Sequence, residues 1–138
     1  MFPVHSRILI VDDMPSLRDL LRAYLRRLGY RNISEADDGK QGYQSLLAAQ
    51  AANAPFELVI SDWNMPNTDG LEFLKLVRAS PSFAKIPFIL LTTESEKGKV
   101  LEAVMAHVSS YMVKPVEEDM LKDKLKKVWE KHTEKKAP

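Results

Sequence analysis

The sequence of 138 residues contains no cysteine. Disulfides, thiolate zinc sites and cysteine nucleophiles are therefore excluded together. An excess of one charge is also lacking, because 20 lysines and arginines stand against 19 aspartates and glutamates. The resulting net charge of +1 gives no general attraction to nucleic acid or to a membrane surface.

Long apolar segments are missing as well. No apolar run approaches the roughly 20 residues that a membrane-spanning helix needs. Residues 1–6 show no basic segment followed by an apolar stretch, as a signal peptide would. Hydrophobic residues nevertheless make up 45% of the chain, which is enough for a folded core. We expect a single cytoplasmic domain over residues 1–138, with its core at about 6–131.

Short apolar runs, each ending in polar residues, recur along the chain. They do not alternate with polar residues, which is typical of strands buried on both faces of a parallel sheet. The predicted strands are residues 7–11, 58–61, 88–91 and 111–113, with a fifth, less apolar candidate at 32–36.

Helical patterns lie between these runs. Their apolar residues recur at helical spacing. The residues that indicate the five predicted helices, in chain order, are Leu17, Leu20, Leu21, Tyr24, Leu25 and Leu28; Tyr43, Leu46 and Leu47; Leu71, Leu74 and Val77; Val100, Leu101, Val104, Met105 and Val108; and Leu121, Leu125, Val128 and Trp129. Strand and helix thus alternate five times. This order predicts an α/β fold, a flavodoxin-like doubly wound sheet of five parallel strands in the order 2-1-3-4-5 with helices on both faces.

Polar residues stand at the carboxyl ends of the predicted strands: Asp12, Asp13, Asp62, Thr92 and Lys114. In a doubly wound sheet these ends open onto one crevice, so the side chains should converge. Carboxylates brought together repel one another, and a cation is needed for all of them to stay charged. Donor sets made only of oxygen favour a hard ion such as Mg²⁺.

This cluster also suits phosphoryl transfer. A carboxylate can attack phosphorus and form an acyl phosphate. A metal ion, a lysine ammonium and a threonine hydroxyl could offset charge on the transferring group. Taken alone, each residue is better explained as an ordinary turn, surface or strand residue. Their joint placement favours the functional interpretation.

The residues quoted above, together with a longer motif, resemble a known family. Residues 59–72 read VISDWNMPNTDGLE, and Tyr111 and Lys114-Pro115 follow at the matching places. Over residues 7–131 the chain is similar to the receiver domains of two-component response regulators, and among them to the single-domain chemotaxis regulators.

The resemblance implies a role for each matching residue. Asp62 would be the phosphoacceptor, assisted by Thr92 and Lys114, and the Lys114-Pro115 peptide bond would be cis. Thr92 and Tyr111 would form a switch that alters the face built from the fourth helix, fifth strand and fifth helix. Mg²⁺ would be held by Asp12, Asp13, Asp62 and Asn64, the last through its backbone carbonyl and Asp12 through water.

The resemblance also implies protein partners and a lifetime for the signal. The donor would be a histidine kinase of the chemotaxis type, and the target a flagellar motor switch protein or another output protein, with a phosphatase as a further partner. No nucleic-acid or membrane partner is expected, and the protein would be a monomer. Asn64 and Glu94 match the chemotaxis regulators and imply a short-lived phosphoryl group. His107 lies where the family usually has a glycine-containing turn, and we interpret it as an exposed helix-end residue.

Other functions remain open at this point. A phosphorelay intermediate, which passes its phosphoryl group to a histidine phosphotransfer protein, would carry the same motifs. A phosphohydrolase commonly has a second aspartate two residues after its nucleophile, and here that residue is Asn64. Flavin binding on the same fold is disfavoured by the acidic crevice. We therefore expect no enzyme in the usual sense, only a protein that assists its own phosphorylation and dephosphorylation.

Overall fold

The computed structural model describes residues 1–93 and 98–136, with the backbone alone for residues 135–136. Strands and helices alternate throughout. The elements are β1 (Arg7–Val11), α1 (Pro15–Arg27), β2 (Asn32–Ala36), α2 (Gly39–Ala51), β3 (Leu58–Asp62), α3 (Gly70–Ala79), β4 (Phe88–Thr92), α4 (Val100–Met105), β5 (Ser110–Val113) and α5 (Glu118–Lys136).

The five strands form one sheet in the order β2-β1-β3-β4-β5, and each neighbouring pair is parallel. The predicted fold class and strand order are therefore confirmed. The less apolar candidate, β2, is an edge strand, which explains its polar residues. Since all strands run the same way, their carboxyl ends lie along one edge of the sheet, where the predicted site residues follow them.

Alternate strand residues point to opposite faces of the sheet, and each face carries its own core. On one face Leu9 and Val59 pack with residues of α2, α3 and α4. On the other, Ile8 and Ile10 pack with residues of α1 and α5. Phe2 belongs to this second cluster with 3% exposure, although it precedes the expected core range of 6–131.

The fourth helix differs from the expectation. It ends at Met105, and Val108 lies beyond a turn in which His107 adopts a left-handed backbone (φ 65°). Ala103 is its buried residue, whereas Leu101 and Met105 are 69% and 73% exposed. A short helix that faces the core through a small alanine leaves the larger apolar residues on the outside.

None of the helices in the described part of the chain combines the length and the hydropathy needed to cross a membrane.

Candidate functional site

The carboxyl ends of four strands bring the predicted site residues together. Asp12 directly follows β1, Asp62 and Thr92 are the last residues of β3 and β4, and Lys114 directly follows β5. One carboxylate oxygen each from Asp12, Asp13 and Asp62 lies within 4.8 Å of the others. The predicted convergence of the three carboxylates is confirmed.

Asp12 is the most enclosed of the three carboxylates, with no exposed surface. Its Oδ1 accepts a hydrogen bond of 2.8 Å from the Met14 backbone N–H, while Oδ2 is buried and has no hydrogen-bond partner among the described residues. Burial raises the pKa of Asp12 to about 6; the Met14 bond opposes this shift and the nearby charge of Asp62 adds to it. Its hydrogen bond with Met14 and the charge of Lys114 therefore compensate only part of the cost of burying the Asp12 carboxylate.

Asp62 faces a lysine instead. It is 4% exposed, and its Oδ1 lies 2.8 Å from Lys114 Nζ. Burial raises the pKa of Asp62, and the ion pair with Lys114 opposes that shift. The Lys114-Pro115 peptide bond is cis, as predicted. Lys114 is thus placed where it can neutralise charge on Asp62 or on a group attached to it.

The two predicted switch residues lie on neighbouring strands. Thr92 is fully buried at the end of β4, and its carbonyl accepts a 2.7 Å hydrogen bond from the Lys114 N–H. Tyr111 lies in β5 beside Leu90 and is half-buried. The Lys124 ammonium of α5 lies 5.8 Å from the centre of the Tyr111 ring. Their roles as a switch stay predictions.

Three further predicted residues have different outcomes. Asn64 lies in the loop after β3, two residues from Asp62, and is exposed. Glu94 lies outside the described residues. His107 is exposed and lies two residues beyond Met105, the last residue of α4, which confirms its interpretation as a helix-end residue; it is not part of the acidic cluster.

Gly70 has a part in the site that was not predicted. A Cβ built on it would lie 2.2 Å from the carbonyl oxygen of Asp62 and 2.9 Å from Cα of Trp63. Its N–H donates a 2.8 Å hydrogen bond to the Trp63 carbonyl. Only a residue without a side chain lets α3 begin this close to the phosphoacceptor candidate. A glycine at the start of a predicted helix, shortly after a conspicuous aspartate, was the available signal.

The donor set fits a hard divalent cation. Three carboxylates within reach of one another supply oxygen ligands alone. The buried Asp12 Oδ2, which has no partner in the described part of the chain, is a polar atom that a cation or its water would satisfy. The acidic cluster is therefore consistent with Mg²⁺.

Comparison with known proteins agrees with this geometry. The family model of the response regulator receiver domain matches residues 8–126. The chain belongs to this family. Its relatives include the chemotaxis protein CheY1 of Helicobacter pylori J99, with 41% identity over 88% of this chain and 95% of that protein. Another is the chemotaxis protein CheY of Pseudomonas aeruginosa, with 36% identity over 91% of this chain and 97% of that protein.

Solved structures show the same relationship. The chemotaxis response regulator CheY4 of Vibrio cholerae superposes with a TM-score of 0.76 at 33% identity, covering 90% of this chain and 98% of that one. The predicted resemblance is thus confirmed: this is a CheY-like receiver domain.

Proposed function

We propose that the protein accepts a phosphoryl group from a histidine kinase on Asp62 and signals by binding another protein. The observation that carries the proposal is the placement of Asp62. Its carboxylate is buried, paired with Lys114 at 2.8 Å and grouped with two further carboxylates at the carboxyl edge of the sheet.

The chemistry follows from the atoms around Asp62. One of its oxygens attacks phosphorus, the bond to the imidazole nitrogen of the donor breaks, and that nitrogen keeps the electron pair. Lys114 and the Thr92 hydroxyl offset negative charge on the phosphoryl oxygens. Mg²⁺, held by Asp12, Asp13, Asp62 and the Asn64 carbonyl, would supply further charge neutralisation when bound. The protein thus assists its own phosphorylation and is not an enzyme in the usual sense.

We assign the output to chemotaxis and flagellar motor control. The relatives named above are chemotaxis proteins, and signalling to a motor switch protein requires a contact surface. Leu101, Val104 and Met105 of α4 are exposed beside the strand that carries Tyr111, and exposed apolar residues of this kind suit a protein contact. The same chemistry would serve a phosphorelay intermediate. Transfer of the phosphoryl group to a histidine phosphotransfer domain would favour that alternative.

Trp63 fluorescence tests the proposal. Trp63 is buried and directly follows Asp62, and its main-chain N–H donates a hydrogen bond to the Leu91 carbonyl. Its emission should therefore respond to changes in the site. We expect a change on adding Mg²⁺ and a second change on adding acetyl phosphate. Asp62→Asn should lose the second change. A second change that persists in this variant would contradict Asp62 as the phosphoacceptor.

A further inference from the structure

Arg18 connects the acidic site to a neighbouring strand. Its Nε donates a 3.0 Å hydrogen bond to Oε1 of Glu35 in β2, and its Nη1 lies 3.2 Å from Oδ1 of Asp37. The same Nη1 donates a 2.5 Å hydrogen bond to the main-chain carbonyl of Asp12. The Arg18 side chain is only 15% exposed. The guanidinium is therefore anchored on one side and holds the backbone of the site on the other.

The contacted carbonyl belongs to the peptide unit that joins Asp12 to Asp13. A peptide unit is planar, so holding its oxygen sets the orientation of the whole plane, including the N–H of Asp13. The N–H of Asp12 donates to the Ala36 carbonyl, and its Oδ1 accepts from Met14. The Met14 bond closes a turn that spans this peptide unit, but neither bond contacts its carbonyl oxygen. Arg18 restrains that oxygen directly, and so helps to set the direction in which the Asp13 side chain projects.

We propose that Arg18 is a positioning residue for the metal site: it sets the relative orientation of the Asp12 and Asp13 carboxylates and so increases affinity for Mg²⁺. This inference rests on the proposed function, because it assigns Arg18 to the same site. Among the described residues, the side-chain partners of Arg18 are Glu35 and Asp37, and it reaches the metal site only through the main-chain carbonyl of Asp12. It acts through the backbone, as partners behind metal ligands commonly do.

The chain offers a matched control in Arg22. Arg22 lies one turn further along α1 and also pairs with Glu35, through Oε2. Its other contact in the described residues is with the Ile33 carbonyl in β2, at 3.5 Å, and not with Asp12 or Asp13. Arg18→Met and Arg22→Met therefore both remove a cation and an ion pair with Glu35. Arg18→Met also releases the Asp12 carbonyl and loses the ion pair with Asp37, which contributes little because the Asp37 side chain is 62% exposed.

The experiment measures Mg²⁺ affinity from Trp63 fluorescence in the full chain, together with urea unfolding. We expect Arg18→Met to raise the Mg²⁺ dissociation constant by about tenfold. Arg22→Met should change it by less than about twofold, since it touches only β2. At saturating Mg²⁺ the rate of phosphorylation by acetyl phosphate should return most of the way to the wild-type rate in Arg18→Met, because the chemical groups are intact. If Arg18 were merely structural, Arg18→Met would lower the midpoint of urea unfolding, but it would not weaken Mg²⁺ binding in a way that saturating Mg²⁺ reverses.

Arg18→Lys separates position from charge and serves if Arg18→Met does not fold. A single ammonium retains the charge but cannot span Glu35 and the Asp12 carbonyl as a guanidinium fork does. We expect weaker Mg²⁺ binding than in Arg22→Met. Equal affinities in the Arg18 and Arg22 variants, or full wild-type affinity in Arg18→Lys, would overturn the proposal. Wild-type protein that binds no Mg²⁺ would instead overturn the proposed function.

Discussion

At the scale of single residues, Asp12 illustrates how a functional site can oppose stability. The folded protein keeps a proton on Asp12 up to a pH of about 6, because burial raises its pKa from 3.8. The folded state therefore binds more protons than the unfolded chain between these values. The free energy of unfolding therefore falls as the pH rises from 3.8 to about 6. Above that range, the ionised Asp12 lowers it by the full amount, about 3 kcal/mol.

Replacing this carboxylate should stabilise the metal-free protein. Asp12→Asn keeps an oxygen that can accept the Met14 hydrogen bond and removes the buried charge. We expect a gain of about 2 kcal/mol in the free energy of unfolding at neutral pH, measured by urea denaturation without divalent ions. The gain should disappear at about pH 4, where the wild-type carboxyl is protonated. Asp19→Asn, at an exposed position of α1, is the control, and an equal gain there would contradict the explanation.

Gly70 imposes a steric requirement at the same scale. Gly70→Ala places a methyl group 2.2 Å from the Asp62 carbonyl oxygen, so the backbone must shift. We expect a loss of about 3 kcal/mol in the free energy of unfolding, together with weaker Mg²⁺ binding. Gly98→Ala is the matched control, because a Cβ there meets nothing within 4 Å. Similar losses in both variants would show that helix or loop propensity, and not the contact, is responsible.

At the scale of elements, Arg78 joins three segments near the amino ends of β4 and β5, at the edge of the sheet opposite the acidic site. It lies near the end of α3 and donates to the carbonyls of Ile86, before β4, and His107, after α4. Arg78→Met should leave these acceptors unsatisfied and cost about 2 kcal/mol, measured by urea denaturation. Arg26→Met, at an exposed position of α1, should change stability little. Equal losses in the two variants would contradict this role for Arg78.

Helix α4 shows where an apolar pattern does not determine burial. Leu101, Val104 and Met105 have the spacing of a buried face, yet Ala103 is the residue that meets the core. The pattern identifies the helix but does not say which side packs, since a six-residue helix is too short for one face to dominate. The resemblance placed a glycine-containing turn at His107, but it was not evident that histidine would keep the left-handed backbone, which favours glycine.

At the scale of the whole molecule, the sheet could be predicted because all of its strands except the edge strand β2 are short apolar runs, such as Phe88–Thr92, which is buried at every residue. The site could be predicted in outline because parallel strands place their carboxyl ends together. The contacts of Arg18 and Gly70 could not. They depend on how closely a helix approaches a loop. A glycine at the start of a predicted helix signals a close approach but not the atom that is approached, and an arginine at position 18 carries no such signal.

Chemical trapping of the phosphoryl group tests the central claim most directly. An aspartyl phosphate is an acyl phosphate, and borohydride reduces it to an alcohol that peptide mass spectrometry can locate. After incubation with Mg²⁺ and acetyl phosphate, we predict that the reduced residue is Asp62, that the intact mass first increases by one phosphoryl group, and that both signals are lost without Mg²⁺. A reduced residue elsewhere in the chain, or no increase in mass in the wild-type protein, would contradict the account.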